Sequence, residues 1–149
     1  MINLPKEYEK RMRGLLGKDF EAYVNELQKD TVKGFRVNTE KITAEEFEKI
    51  NIFGKEKIPY VHNGYYLNYE KIGNHPFHHA GMIYVQEPAA MAPAECVKIS
   101  EDWKILDMCA APGGKSTQLK NKLGENGVLV SNEIIPSRCK ILTGNIERL

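Results

Sequence analysis

One stretch of the sequence decides the fold: Asp107-Met108-Cys109-Ala110-Ala111-Pro112-Gly113-Gly114-Lys115-Ser116-Thr117. The apolar run 103–106 before it is typical of a strand, and residues 116–123 after it are typical of a helix. A tight turn of small residues would therefore join a strand to a helix. Such a turn directs backbone N–H groups and the positive end of a helix dipole at one place, and small residues let a ligand approach closely. We expect an anionic or nucleotide-like ligand at the end of a parallel sheet.

Two phosphate-binding patterns can be compared with this turn. A P-loop has the pattern G-x-x-x-x-G-K-[ST], and Gly114-Lys115-Ser116 supplies its end, but Cys109 stands where the first glycine belongs. The dinucleotide pattern G-x-G-x-x-G is absent from the turn. A P-loop NTPase is therefore a disfavoured alternative.

An acidic residue follows the second predicted strand, which covers residues 127–132. Glu133 lies twenty positions after Gly113, where an acid can accept hydrogen bonds from ribose hydroxyls. An acid of this kind without a P-loop glycine favours a nucleoside cofactor that lacks polyphosphate, and S-adenosyl-L-methionine is the candidate. The alternative is an ordinary strand–helix turn followed by a surface glutamate.

Three motifs in order resemble those of one enzyme family. They are Phe35-Arg36-Val37-Asn38-Thr39, Gly81-Met82-Ile83-Tyr84-Val85-Gln86-Glu87-Pro88-Ala89-Ala90-Met91 and Asp107-Met108-Cys109-Ala110-Ala111-Pro112-Gly113-Gly114-Lys115, and the opening Leu4-Pro5-Lys6-Glu7-Tyr8 is similar as well. Their order and spacing resemble those of the RNA cytosine-5 methyltransferases of the Sun/RsmF type. The resemblance implies an α/β fold. A small α+β, RRM-like N-terminal lobe would be followed by the start of a Rossmann-like S-adenosyl-L-methionine-dependent methyltransferase domain.

The resemblance also implies which residues bind the cofactor. Backbone groups of the loop would surround its methionine end, Glu133 would hold its ribose hydroxyls, and Arg138 would neighbour its adenosine. The loop residues concerned are Cys109, Ala110, Ala111, Pro112, Gly113, Gly114 and Lys115.

The implied reaction of the full-length protein is methylation of cytosine C5 in RNA, with rRNA as the expected substrate. Cytosine C5 becomes nucleophilic enough only after a cysteine thiolate adds to C6. In the family, the cysteines concerned lie downstream of the cofactor loop. Cys96, Cys109 and Cys139 do not match them, so we assign no catalytic residue here and interpret all three as structural. A non-catalytic RNA-binding or assembly module is the alternative function.

The implied domains are an N-terminal RNA-binding lobe over residues 1–75 and the first part of the methyltransferase domain over residues 76–149. Only two strands of the second sheet are evident, and a doubly wound sheet needs more, so apolar surface would be uncovered. We therefore expect a fragment that is inactive alone, and that either self-associates through its incomplete sheet or is unstable.

Several elements are predicted within the lobe. Helices are expected over residues 5–16 and 20–28, the second of them capped by Asp19. The capping box Thr43-Ala44-Glu45-Glu46 opens a helix with Phe47 and Ile50 facing inward. Residues 58–61 and 65–67 resemble two strands of a hairpin.

Polar and aromatic side chains of the lobe allow two interpretations each. Residues 34–39 alternate as in a strand, which places Phe35 and Val37 towards the core and Arg36 on the other side. Arg36 is either a solvated charge on an edge strand or a structural or RNA-backbone contact. Four tyrosines interleaved with lysines either stack RNA bases or pack in a half-buried hairpin. These residues are Tyr60, Tyr65, Tyr66 and Tyr69 with Lys57 and Lys71.

The composition restricts the classes of protein to which the chain could belong. The chain has 149 residues, is 42% hydrophobic and carries a net charge of +1, so any RNA contact must come from a local patch. Its three cysteines lack C-x-x-C spacing, and its four histidines lack neighbouring ligands, which argues against a metal site and fits a reducing cytoplasm. The start of the sequence is not typical of a signal peptide, and we expect no membrane partner.

Overall fold

The chain divides into two compact units, Met1–Thr31 and Val32–Leu149, and the computed structural model describes residues 3–149. The expected fold class is confirmed, because an antiparallel sheet with helices precedes a parallel strand pair with helices. None of the helices within residues 3–149 combines the length and the apolar character that a membrane crossing requires.

The first unit contains two helices, α1 (Lys6–Leu16) and α2 (Phe20–Leu27), with a 3₁₀ turn between them. Gly17 ends α1 with φ of 53°, a backbone conformation that glycine adopts without strain. The prediction that Asp19 caps α2 is wrong. An N-cap side chain needs an extended backbone, whereas Asp19 belongs to the 3₁₀ turn, has a helical backbone and makes no capping hydrogen bond.

The second unit contains five strands and five helices. The strands are β1 (Gly34–Val37), β2 (Gly64–Tyr66), β3 (Ile83–Val85), β4 (Lys104–Asp107) and β5 (Val128–Ser131). The helices are α3 (Ala44–Ile50), α4 (Pro76–His79), α5 (Pro88–Cys96), α6 (Gly114–Lys120) and α7 (Pro136–Arg148).

Strand β1 is the central strand of an antiparallel sheet with the order β2-β1-β3. Phe35 pairs with Tyr65 on one side and with Val85 on the other. As predicted from the alternation, Phe35 and Val37 face the core, where both are fully buried. The core cluster around them comprises Phe47, Phe53, Tyr65, Ile72 and Ile83.

The predicted capping box at the start of α3 is confirmed. Thr43 Oγ1 accepts a hydrogen bond from Glu46 N, and Glu46 Oε2 accepts one from Thr43 N, each at 3.2 Å. Phe47 is buried as expected, but Ile50 is 42% exposed, so its predicted inward position is wrong. Phe53, which follows the helix and stacks with Phe47, fills this part of the core instead.

The predicted hairpin is also wrong in its first strand. Residues 59–60 and 62–63 form turns, and Lys57 alone bridges to Tyr65. Pro59 lacks the N–H group that a ladder requires, which accounts for the difference. Ile58 and Val61 are nevertheless buried, so their apolar character reflects packing in the core and not a strand.

Strand β3 pairs with β1 although it lies after the domain boundary expected at residue 75. That boundary falls inside the compact unit Val32–Leu149. Because β3 completes the N-terminal sheet, residues 83–85 connect that sheet directly to α5 and the strands that follow.

Strands β4 and β5 are parallel, as predicted, with Asp107 opposite Ser131 at their carboxyl ends. Helix α6 begins at Gly114, two residues earlier than expected, and ends at Lys120. Alternate side chains of both strands are exposed, including Leu106 at 60% and Val130 at 53%. The expected uncovered apolar surface is therefore present on this strand pair.

Candidate cofactor-binding site

The carboxylate of Asp107 fixes the loop that follows β4. Its Oδ2 accepts a hydrogen bond of 2.7 Å from Ser116 Oγ, and its Oδ1 accepts one of 3.3 Å from Cys109 N. Ser131 Oγ, at the end of β5, donates to Ser116 Oγ at 3.0 Å. Both strand ends and the first turn of α6 are thereby joined around a serine that is 1% exposed.

The loop itself is compact. It contains a cis peptide bond between Ala111 and Pro112, and Gly113 has φ of 110°, a conformation that favours glycine. Gly113 N donates to Ala110 O at 2.7 Å. Ala110 and Ala111 are buried against Leu142 of α7. The small residues of the motif therefore allow the turn to lie close to the helix as well as to a ligand.

Helix α7 holds two consecutive loop carbonyls. Arg138 Nη2 donates to Ala111 O at 2.9 Å, and Asn145 Nδ2 donates to Pro112 O at 2.8 Å. Both donors lie on the same helix, seven residues apart, which places them on one face. Arg138 therefore lies next to the loop and contacts its backbone, while its expected place beside the adenosine stays a prediction.

Arg36 reaches the same loop from the central strand of the antiparallel sheet. Its guanidinium donates to Gln86 Oε1 at 2.9 Å, to Gly114 O at 2.8 Å and to Thr117 Oγ1 at 3.0 Å. The residue is 2% exposed, and burial lowers the pKa of its guanidinium to about 10, so it is protonated at neutral pH. A solvated charge on an edge strand is excluded, and the structural interpretation of Arg36 is correct.

Glu133 has one carboxylate oxygen without a hydrogen bond. Its Oε1 accepts from Ile135 N at 3.0 Å, which fixes the orientation of the group. Within residues 3–149, Oε2 has no hydrogen-bond donor, although Arg138 Nη1 lies 3.4 Å away. The side chain is only 3% exposed. A buried acceptor without a donor is costly, and a ribose hydroxyl is a donor that would satisfy it.

The remaining predicted side chains of the loop point outward. Lys115 and Cys109 are exposed. Cys96, Cys109 and Cys139 are all exposed free thiols, so none of them packs in the core, which corrects their interpretation as structural residues. In the part of the chain that the structure describes, no group of three or more histidines, cysteines or carboxylates could hold a metal.

The tyrosines that were predicted as a group differ in their exposure. Tyr65 is 1% exposed, and its hydroxyl donates to Glu48 Oε1 at 3.1 Å. Tyr60 and Tyr69 are 48% and 40% exposed. Packing therefore explains Tyr65, whereas Tyr60 and Tyr69 keep an aromatic surface open to solvent.

A cleft of about 580 Å³ lies beside the loop and is lined by residues of α6, β5 and α7. Ser116, Thr117 and Ser131 contribute to its wall, but Glu133 and residues 109–113 do not. The cleft therefore does not contain Glu133 or the turn of the loop, which are the predicted cofactor contacts.

Sequence reasoning named Arg138 as a site residue but did not identify the contacts of Arg36 and Asn145 with the loop. Asn145 carries no local signal, because an asparagine on an amphipathic helix is unremarkable. Arg36 and Gln86 lie in the two upstream motifs, and the alternation along β1 already placed Arg36 opposite the core side chains. The place of Arg36 opposite the core side chains was a signal that it has a partner. The sequence could not show which partner, because Gln86, Gly114 and Thr117 are distant from it along the chain.

Two family models match the chain one after the other. Residues 4–88 match the model of the N-terminal domain of 16S rRNA methyltransferase RsmF, and residues 94–149 match that of 16S rRNA methyltransferase RsmB/F. A crystal structure of a methyltransferase homologue from Pyrococcus horikoshii superimposes with a TM-score of 0.86 at 28% identity, over 99% of this chain and 50% of that one.

Two curated relatives are named ribosomal RNA small subunit methyltransferase F. The protein of Vibrio atlanticus is 34% identical over 99% of this chain, and that of Shewanella oneidensis is 36% identical over 78% of it. These matches cover 33% and 26% of the respective relatives, so the chain spans about a third of their length or less. By the match over residues 4–88, which is more than half of its sequence, the chain belongs to the RsmF family of 16S rRNA methyltransferases.

Proposed function

We propose that the loop after β4 and Glu133 bind S-adenosyl-L-methionine, and that the whole protein methylates cytosine C5 in rRNA. The observation that carries the cofactor assignment is Glu133 Oε2, which is buried and accepts no hydrogen bond, although Arg138 Nη1 lies 3.4 Å away. A ribose hydroxyl would donate to Oε2, while Oε1 remains bound to Ile135 N. The names of the relatives support rRNA as the substrate.

The loop provides backbone groups for the other end of the cofactor. The N–H groups of the first turn of α6 have no acceptor within the helix, so they are available to a carboxylate. These are the N–H groups of Gly114, Lys115 and Ser116. In this proposal Cys109, Ala110, Ala111, Pro112 and Gly113 shape the turn, and Arg138 fixes it by holding Ala111 O.

The cofactor, when bound, supplies an electrophilic methyl group on a sulfonium. The residues of this chain bind and orient it, and none of the three cysteines is assigned the thiolate that must add to cytosine C6. The N-terminal lobe contacts RNA, for which exposed Tyr60 and Tyr69 offer stacking surfaces.

The alternative of a P-loop NTPase is disfavoured by the position of Ser116. In a P-loop, this hydroxyl binds Mg²⁺. Here it is 1% exposed and is engaged by Asp107 and Ser131. A non-catalytic RNA-binding module differs from the proposal in one measurable respect, because it would not bind the cofactor.

Calorimetric titration with S-adenosyl-L-methionine tests the assignment. We expect the chain to bind the cofactor and Glu133→Gln to bind it about tenfold or more weakly, because a charged acceptor is lost. Glu147→Gln, on an exposed position of α7, is the matched control. Binding of ATP with Mg²⁺, together with no binding of S-adenosyl-L-methionine, would support the NTPase instead.

Alkylation of the three surface thiols gives an independent test. Because Cys109 lies on the loop and Cys96 lies at the end of α5, a bound cofactor should slow modification of Cys109 and leave Cys96 unchanged. Equal rates at Cys109 with and without saturating S-adenosyl-L-methionine would contradict the proposed site.

A further inference from the structure

The geometry points to Arg36 as a positioning residue for the cofactor loop, through which the antiparallel sheet sets the conformation of the first turn of α6. This inference rests on the proposed function for its link to the cofactor. Its structural part does not, because it concerns hydrogen bonds between β1 and the loop that exist without a ligand.

Arg36 adds a contact from the sheet to the start of α6, where Thr117 Oγ1 also donates to Gly114 O at 3.2 Å. Its Nη2 donates both to Gly114 O at 2.8 Å and to Thr117 Oγ1 at 3.0 Å. Thr117 Oγ1 in turn donates to Gly113 O at 2.8 Å. One guanidinium nitrogen is therefore bonded directly to one loop carbonyl and is connected to the preceding one through a hydroxyl.

The contact with Gly114 O also determines where a ligand-facing donor points. The C=O and N–H groups of a trans peptide point in opposite directions. A guanidinium that fixes Gly114 O therefore fixes Lys115 N–H on the other side of the same peptide, at the N-terminal end of α6. A bond to a charged donor polarises the peptide, and the N–H group becomes a stronger donor.

The burial of Arg36 requires that hydrogen-bond acceptors surround its guanidinium. Its three hydrogen-bond partners are neutral, and a buried cation is tolerated only when acceptors surround it. Gln86, which accepts from Arg36 Nε, donates to Ala90 O of α5 at 3.0 Å and is thereby fixed as well. A Cβ on Gly114 would lie 3.1 Å from Gln86 Cδ and 3.2 Å from Tyr84 Cε1. The glycine therefore allows the start of α6 to approach this layer.

Four side chains from outside the loop thus hold four of its carbonyls, because Asn132 Nδ2, after β5, also donates to Met108 O at 3.0 Å. Two of them come from α7, the helix that follows β5, and only Arg36 comes from the N-terminal sheet, 78 positions before Gly114. A change in the sheet at Arg36 is therefore transmitted to the cofactor loop by a single side chain, which makes the inference testable by substitution.

Amide hydrogen exchange in the full chain without ligand tests the structural part. Gly113 N donates to Ala110 O, Thr117 N to Gly113 O, and Asn132 N to Asp107 O. Arg36→Met should accelerate exchange at Gly113 and Thr117 by about tenfold relative to Asn132, since the bonds lost are charge-assisted. Asn132, whose bond lies between the strands, serves as the reference for global opening.

Asn38→Ala is the control, because Asn38 directly follows β1, is 5% exposed and donates to Gly81 O at 3.1 Å and to Leu149 O at 2.8 Å, neither of which belongs to the loop. Asn38→Ala should leave the amide exchange rates of Gly113 and Thr117 unchanged relative to that of Asn132. Arg36→Lys keeps the charge, but an ammonium group cannot reach all three acceptors. Its relative exchange rates at Gly113 and Thr117 should therefore lie between those of the wild type and those of Arg36→Met. If Arg36→Met does not fold, Arg36→Lys alone decides the outcome.

Titration with S-adenosyl-L-methionine tests the functional part. We expect Arg36→Met to bind about tenfold more weakly and Asn38→Ala to bind as the wild type does. Unchanged relative exchange in a folded Arg36 variant would overturn the inference. Raised exchange with unchanged affinity would overturn its link to the cofactor. If the wild type does not bind the cofactor, the proposed function fails, while the exchange measurement still decides the role of Arg36.

Discussion

Arg138 Nη1 lies 3.4 Å from Glu133 Oε2, while Nη2 of the same guanidinium donates to Ala111 O at 2.9 Å. One side chain thus connects the proposed ribose acceptor to the loop proposed for the methionine end of the cofactor. Arg138 is 49% exposed in its side chain, so its contribution to folding should be small.

Arg138→Met should therefore affect binding more than stability. The loop would lose one of the four hydrogen bonds that outside side chains donate to its carbonyls, and Glu133 would lose the cation beside it. We expect the affinity for S-adenosyl-L-methionine to fall about five- to tenfold, as for the loss of one hydrogen bond. Calorimetric titration measures this change, with Lys140→Met, at an exposed position of α7, as the control. Tighter binding would mean that Arg138 covers Glu133 and does not position it, which would contradict the prediction.

Two glycines should respond in opposite ways to alanine. Gly113 has φ of 110°, and a Cβ there would lie 3.2 Å from Leu142 Cδ1. Gly113→Ala should destabilise the chain by about 1–3 kcal/mol, because a non-glycine residue is strained at this φ. Gly144 is an interior residue of α7, where a Cβ meets nothing within 4 Å. Gly144→Ala should stabilise the chain by about 0.5–1 kcal/mol. Urea unfolding measures both effects, and a destabilised Gly144→Ala would show that α7 is not helical at this point.

The capping box of α3 should make stability depend on pH. Hydrogen bonds from Thr43 Oγ1 and Thr43 N lower the pKa of the Glu46 carboxyl. A group whose pKa is lower in the folded state stabilises the fold above its unfolded value, which is about 4.3 for glutamate. That contribution is lost as the pH falls through the folded pKa. The stability difference between the wild type and Glu46→Gln should therefore shrink between about pH 7 and about pH 3.

Urea unfolding at both pH values measures this difference. Glu45→Gln is the control, because Glu45 lies in the same first turn of α3 but outside the capping box. A difference between the wild type and Glu46→Gln that stays constant with pH would mean that Thr43 does not act on the carboxylate.

Local patterns predicted much of the fold. The alternation of Phe35 and Val37, the capping box at Thr43 and the order of β4, turn and α6 all depend on residues close together in sequence, and the structure agrees with each. The wrong predictions of a strand over residues 58–61 and of a cap at Asp19 also have local causes. Pro59 interrupts the pattern that resembled a strand, and the 3₁₀ turn before α2 leaves Asp19 no extended backbone from which to cap.

The sequence by itself determined the fold class and the position of the loop after β4, because strand and helix periodicity and a turn of small residues are local properties. Only the tertiary structure decided what holds that loop. Arg36 comes from a strand that begins 80 positions before the first residue of α6, and α7 contributes Arg138 and Asn145. Hydrogen bonds between distant side chains and backbone depend on where the chain brings them together. A sequence therefore shows that such donors exist, and folding decides which carbonyls they hold.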